Sequence, residues 1–289
     1  MDIAMKKEFH ISIDENIAAN SKAVNILAEN SALSKQLIKQ AMKKGAVWIE
    51  DTKGIRRLRR ADTVPPPHST LHFYYAPYVL EEAPLIPTLI ADEHDYSVWS
   101  KPPGMLSQGS KWSDHCTINR WIESNEPFQT RPQRNCFIVH RLDKAARGLM
   151  LIAHKKSVAA KLAALFETRT IDKYYRIIVE GSFPQDTLTM ESDIDGKAAY
   201  SSASLLSFNT DTNRSLIEIS IKTGRKHQIR IHMSRAGYPV VGDRLHGTAK
   251  TETSHPEELQ LSAFSLNFIC PLSEEIRQYG LPEDLQLKL

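Results

Sequence analysis

Residues 216–222 alternate strictly: Ile217, Ile219 and Ile221 are set against Glu218, Ser220 and Lys222. Successive side chains of a strand point to opposite faces, so this period-two pattern predicts a strand with one face on a core. A strand of this kind needs neighbours to satisfy its backbone, and the chain offers them. The runs 137–139, 149–153 and 174–179 are short and apolar enough for buried strands. Helices are fewer. Ser157 is placed to cap one that carries Val158, Leu162, Leu165 and Phe166 on one side. Another is expected over residues 226–235, after Gly224 and closed by Gly237. Strands in separated runs with few helices predict an α+β body on a mixed, mostly antiparallel sheet with flanking helices.

The first part of the chain reads as a separate small α+β unit. Residues 22–29 suit a short helix with Val24 and Leu27 three apart, and Ser34 is a plausible N-cap for a second helix over 35–44. Leu37, Ile38, Ala41 and Met42 are expected on one face of that helix, and Lys35, Lys39 and Lys43 on another. Gly45 is a natural stop. Residues 46–49 and 71–75 read as strands. The proline-bearing stretch 77–87 reads as a linker. The expected division is therefore a unit over residues 1–80 and a larger one over 81–289, which a chain of 289 residues accommodates.

Hydrophobic residues at 41% and charged residues at 25% allow a substantial core without covalent staples. No stretch approaches the roughly 20 apolar residues needed to span a bilayer. The opening MDIAMKKEFH lacks the apolar run of a secretory signal, so the chain is expected in the cytoplasm. Cys116, Cys136 and Cys270 are too scattered for a disulfide framework or a structural zinc. A net charge of +3 does not by itself mark a nucleic-acid binder; what matters is that basic residues cluster at 35–44, 56–60 and 225–235.

Between two strand-like runs lies His140-Arg141-Leu142-Asp143, ending at Gly148. This puts a carboxylate on a loop held by rigid neighbours, where catalytic groups are common, although composition alone reads such an Asp as a turn residue. HRLDKAARGLMLIA resembles the signature loop of the RluA-type family of RNA pseudouridine synthases. The other family motifs follow in the family's order. Residues 98–105 (VWSKPPGM) resemble the segment that precedes the signature, and 173–181 (KYYRIIVEG) resemble the strand after it. Residues 223–232 (TGRKHQIRIH) and 237–243 (GYPVVGD) resemble the two that close the set. Together they cover nearly everything from about residue 85 onward. In the N-terminal part, LSKQLIKQAMKKGAVWI is similar to the helix-then-strand core of an S-four-type RNA-binding domain.

The resemblance implies a pseudouridine synthase fold that isomerises specific uridines in RNA, with Asp143 as the essential carboxylate. It assigns Arg230 to pair with Asp143 and Tyr175 to meet the uracil, while Tyr174 should point to the opposite face of its strand. Ile229 matches an apolar position against the base, and Arg141 an arginine that helps displace or replace the flipped base. Arg225 and His140 are expected near the substrate, His140 mainly by shaping the loop. Lys35, Lys39 and Lys43 suit phosphate contacts, which position RNA without reading its sequence. His227 and His232 are five apart, not the four that stack ligands on one helix, so no metal is expected. Lys101 is left between holding loop structure and touching RNA.

The reaction oxidises nothing and adds no group, so no cofactor is expected. The partner is RNA, ribosomal RNA of the large subunit before transfer RNA, acted on by a monomer. One departure stands out. The family's Thr-Ser before the glycine is Ala146-Arg147 here, which removes two hydroxyls that shape the loop and adds a cation near Asp143. Two other readings remain: a catalytically silent RNA-binding or ribosome-assembly protein, which leaves the retained Asp143, Tyr175 and Arg230 without a purpose, and a hydrolase of small nucleosides or sugars, which has no use for a lysine-faced helix.

Overall fold

The computed structural model of the chain describes residues 6–15, 21–125, 134–247 and 257–289. The chain divides into two compact units. One is Met1–Pro84 with Gln108–Ser124; the other is Leu85–Ser107 with Asn125–Leu289.

The first unit contains β1 (Lys7–Ser12), α1 (Ala23–Ser31), α2 (Lys35–Lys43), β2 (Val47–Asp51), β3 (Gly54–Arg57) and β4 (Thr70–Tyr75). Its four-stranded antiparallel sheet has the order β1-β4-β2-β3. Ser34 caps α2 by accepting from the Leu37 amide at 3.3 Å, and Gly45 follows in the left-handed region at φ 83°. Val24 and Leu27 of α1 and Ile38, Ala41 and Met42 of α2 bury against Val47, Ile49, Leu71 and Phe73. Leu37 departs from the expected apolar face and is exposed. At 100° per residue it lies about 90° from the centre of the buried trio, too far round to reach the sheet. Residues 77–87, expected as a linker, begin with a short helix, α3 (Pro77–Glu81). Proline at the first helical position removes no needed hydrogen bond, and Leu80 joins the unit's core. The basic run 56–60 is largely neutralised inside this unit: Arg56 pairs with Asp51, and Arg57 and Arg59 share Asp114.

The second unit is built on β5 (Thr88–Asp92), β6 (Tyr96–Lys101), β7 (Phe137–Ile138), β8 (Arg147–Ala153), β9 (Asp172–Glu180), β10 (Leu188–Ile194), β11 (Lys197–Asn209), β12 (Arg214–Ile221), β13 (Leu261–Ile269) and β14 (Ile276–Gly280). They form one ten-stranded sheet of order β10-β11-β12-β9-β13-β8-β6-β5, with β14 on β13 and β7 on β8. Every pairing is antiparallel except β13 with β8. That one crossing brings the start of β8 close under β13. At Gly148, φ is 116° and a Cβ would fall 2.3 Å from the Ala263 carbonyl oxygen, so only glycine fits beside Arg147.

Ile217 and Ile219 bury as their alternation requires, while Ile221 at the end of β12 emerges into a cavity wall. The helix Lys156–Glu167 packs Val158 and Leu162 onto β6 and β8. Its N-cap is Lys155 rather than Ser157, because the first turn closes on the Lys155 carbonyl, bonded by the Ala159 amide at 2.9 Å. The last helix is Gln228–Arg235, shorter than the expected 226–235. His227 sits before it at φ 55°, and the Gln228 side chain bonds Thr223 and the Arg225 amide, holding the 223–227 segment as a turn. Cys116, Cys136 and Cys270 are buried, and none is in a disulfide. Among the described residues no helix is long and apolar enough to cross a membrane.

Candidate active site

Asp143 lies on the loop between β7 and β8, and backbone contacts immobilise that loop. Lys101, at the end of β6, pairs in register with Gly148 and has no solvent exposure. Its ammonium donates to the carbonyls of Pro102, Met105, Lys144 and Ala146 at 3.1, 2.9, 3.3 and 2.5 Å. Ser107 bonds both sides of Leu142, donating to its carbonyl at 2.7 Å and accepting from its amide at 3.1 Å. The Gly104 amide donates to the Lys144 carbonyl at 2.8 Å. Lys101 therefore holds the loop. Burial pulls its pKa down to about 7, with the charge of Asp143 working the other way. This latch holds a loop that carries Ala146-Arg147. Ala146 is buried, and Arg147 turns from the carboxylate toward Glu258 at 3.4 Å.

Arg230 rises from the Gln228–Arg235 helix into the same place, only 5% exposed. Its Nε and Nη2 donate to Asp243 at 2.8 and 2.6 Å, a two-pronged contact that fixes the guanidinium plane. The remaining Nη1 donates to Asp143 Oδ2 at 3.2 Å. Asp243 is held in turn by the amides of Leu245 and His246, both at 3.0 Å. Burial pushes the Asp243 carboxyl up, but the Arg230 bonds and the two amides outweigh it and leave the pKa below the ordinary value. For Arg230, burial opposes the charge, and the bonds to Asp243 and then Asp143 raise its pKa above the ordinary value. Asp243 had no assigned role in the sequence. The readable signal was a Gly-Asp pair closing the apolar run Pro239-Val240-Val241, where a carboxylate needs a buried cation.

Tyr175 stands in the middle of the sheet, between Ile219 of β12 and Ala263 of β13. Burial, and then the charge of Asp143, hold its hydroxyl above the usual phenol range, so it is neutral at neutral pH. Asp143, Tyr175, Arg230, Arg141, Ile229 and Arg225 all line one open cavity of about 240 Å³. His227 joins them, its Nε2 3.7 Å from Asp143 Oδ2 and its Nδ1 3.0 Å from His246 Nε2. His232, by contrast, is buried against Ser201 at 2.9 Å.

His140 is outside that lining. Its Nε2 accepts from the Leu151 amide at 2.9 Å, and its ring stacks on Phe166 with centroids 4.3 Å apart. Burial, and then the charge of Lys173, bring its pKa down to about 3, which keeps the ring a neutral acceptor. Lys35, Lys39 and Lys43 belong to the other unit, where all three are exposed along α2 without an ion pair to any described residue.

Residues 95–235 match the protein family described as RNA pseudouridylate synthase. The chain is 30% identical over 238 residues to ribosomal large subunit pseudouridine synthase D of Xylella fastidiosa, covering 69% of this chain and 70% of that protein. It is 28% identical over 288 residues to an uncharacterized RNA pseudouridine synthase of Aquifex aeolicus, 86% of each. Dual-specificity RNA pseudouridine synthase RluA of Vibrio parahaemolyticus is 28% identical over 211 residues, 67% of this chain and 81% of that protein. The solved structure of human RNA pseudouridylate synthase domain containing 1 shares the fold, with a TM-score of 0.57 over 68% of this chain and 84% of that one at 21% identity.

Proposed function

The chain belongs to the RluA-type family of RNA pseudouridine synthases, and from that premise we propose that Asp143 is the carboxylate through which it isomerises uridine in large-subunit ribosomal RNA. The reaction breaks the bond from N1 of uracil to C1′ of ribose, turns the base, and joins C5 to C1′. A proton leaves C5 and one is gained at N1, so atoms and electrons balance within the nucleotide. A uridine inside folded RNA must first leave its stack to reach the cavity.

The observation that carries this reading is the shared guanidinium. Arg230 is locked by Asp243 through Nε and Nη2 and offers Nη1 to Asp143, which fixes one oxygen of a carboxylate that lines the cavity. An arginine partner favours the charged form of a carboxylate. Asp143 then serves either as nucleophile toward the sugar or base, or as the base in an elimination route; both need the same ionised, oriented group. Tyr175 packs its ring against the uracil. As a neutral phenol it is a hydrogen-bond donor, so its part in releasing the C5 proton is to relay a proton. Ile229 supplies the apolar wall opposite, Arg141 fills or props the gap left by the extruded base, and Arg225 meets the backbone. His140 sets the loop from behind.

We place the substrate in ribosomal RNA because synthase D of Xylella fastidiosa is named for the ribosomal large subunit. The exposed row Lys35, Lys39 and Lys43 supports an RNA-binding role of S-four type for the N-terminal unit. The test is to incubate the purified protein with deproteinised large-subunit ribosomal RNA and with total transfer RNA, both from cells lacking the gene, and to map pseudouridine. New pseudouridine in the ribosomal RNA is expected. Its appearance in transfer RNA alone would overturn the substrate, and its absence from both would overturn the function.

A further inference from the structure

A second cavity, of about 370 Å³, adjoins the first and shares Arg141, Tyr175, Ile221, Gly224 and Arg225 with it. That volume falls in the range of roughly 300–1,000 Å³ typical of small-ligand sites. Its walls combine an apolar side, formed by Val139, Ala163 and Phe166, with Arg141, Arg169, Lys173 and Arg225. Glu167 is the sole carboxylate in the lining.

Lys173, Arg169 and Arg225 differ from Arg230 in having no carboxylate partner among the described residues. Lys173 is 92% buried, being 8% exposed, yet its ammonium makes no hydrogen bond or ion pair to any described residue. Burial, and then the nearby charge of Arg169, depress its pKa, and only the neighbouring Asp172 offsets them. Arg169, held at φ 61° just past the Lys156–Glu167 helix, likewise has no carboxylate partner. Arg225 donates Nε to the Ala198 carbonyl at 3.1 Å, which leaves its terminal nitrogens for something else. A largely buried lysine near the guanidinium of Arg169, with no partner among the described residues, is stabilised when an anion joins it. A single strand, whose backbone bends and whose bases are free to stack on side chains, suits a concave site of this kind better than a rigid duplex.

We propose that this cavity binds the nucleotide adjoining the target uridine, its phosphate taken by Lys173, Arg169 and Arg225 and its base laid against Phe166. The proposal rests on the RNA-modifying reading above and adds a second subsite to it. Arg141 and Arg225 line both cavities, so the linking backbone of the strand passes between them. Recognition thus extends to two consecutive unstacked nucleotides, with a phosphodiester as the charged element.

The probe is a fluorescently labelled polyuridine RNA of about 20 nucleotides, whose dissociation constant is followed against potassium chloride for the full-length protein. Each phosphate contact on a single strand contributes about 0.7 to the slope of log affinity against log salt. Lys173→Met should lower the slope by about 0.7 and weaken binding about tenfold at low salt, and Lys173→Arg should restore both. Arg169→Gln, at an exposed position, should shift binding the same way and decides the matter if Lys173→Met does not fold. Affinity for a duplex RNA of similar length should be unchanged in every variant. Slopes equal to wild type in Lys173→Met and Arg169→Gln, or an equal loss on duplex RNA, would overturn the subsite. None of these readouts needs turnover. A wild-type protein that forms no pseudouridine would therefore sink the functional reading while the salt slopes still decide the subsite.

Discussion

The Asp143 cavity and the lysine-bearing face of α2 are both basic regions, and they use charge in opposite ways. Around Asp143 the two cations that hold it and its loop are geometrically committed: Arg230 turns its three nitrogens on two carboxylates, and Lys101 is surrounded by four carbonyls. Along α2, Lys35, Lys39 and Lys43 stand in solvent without an ion pair to any described residue. Committed charge in a low-dielectric setting orients a reacting group and costs heavily when broken. Uncommitted surface charge attracts a polyanion diffusely, adds little to stability, and is screened by salt. On the proposed reading the first region serves chemistry on the target nucleotide, and the second holds a backbone of any sequence.

That contrast is open to attack from its strong side first. Arg230→Met strips Asp243 of its cation and Asp143 of its orienting bond; removing one partner of a buried pair costs about 3–5 kcal/mol. Urea unfolding should show that loss, and pseudouridine formation should fall by at least about 100-fold. Wild-type stability in this variant would mean that the cluster is not committed at all. Lys101→Met leaves four carbonyls without their donor, a loss of about 3 kcal/mol at roughly 1 kcal/mol net for each of the ammonium's three N–H groups. Turnover at saturating RNA should drop with it, while RNA affinity stays near wild type. A loss of affinity with turnover intact would move Lys101 from the loop to the RNA.

Acid sharpens the same contrast. The folded pKa of Asp243 lies below its ordinary value, so its stabilising contribution is complete above about 3.9, the unfolded value. It fades as the pH falls through the lower folded value. Wild type should therefore be more stable than Asp243→Asn at pH 7, and the two unfolding curves should converge below about pH 4. A constant gap down to strong acid would contradict the pairing. The smallest effect belongs to the surface. Changing Lys35, Lys39 and Lys43 together to Gln should leave melting and saturated turnover unaltered and weaken RNA binding only several-fold, with a salt slope lower by up to about 0.7–0.9 per lost contact. An unchanged slope would remove α2 from the RNA-binding surface.

How far these regions were legible in the sequence follows from how local their causes are. The strand over 214–221 and the capped helix after Ser34 are written in nearest-neighbour patterns, and both form. β6 was met only as a motif: Tyr96–Lys101 is buried along its whole length, so no alternation marks it. Ser157 misled because a cap depends on which carbonyl closes the first turn. The motifs brought Asp143, Tyr175, Arg230, Arg141, Ile229 and Arg225 to attention, and they meet in one cavity. Asp243 carried no role because nothing local shows that its carboxylate closes on Arg230, and Lys101 stayed between two roles because two of the carbonyls it grips lie more than 40 residues away and backbone oxygens carry no sequence signature. Lys173 was visible as a motif lysine, but that it is buried without a partner is a property of the packed sheet alone.

The central claim is that the Asp143 carboxylate carries the chemistry, and single-turnover pseudouridine formation by Asp143→Asn measures it most directly. The substitution keeps the shape and removes the charge. With RNA that wild type converts, the variant should form no detectable pseudouridine, a loss of at least about 1,000-fold, while its affinity for that RNA stays within about tenfold. Conversion at a rate near wild type would contradict the account.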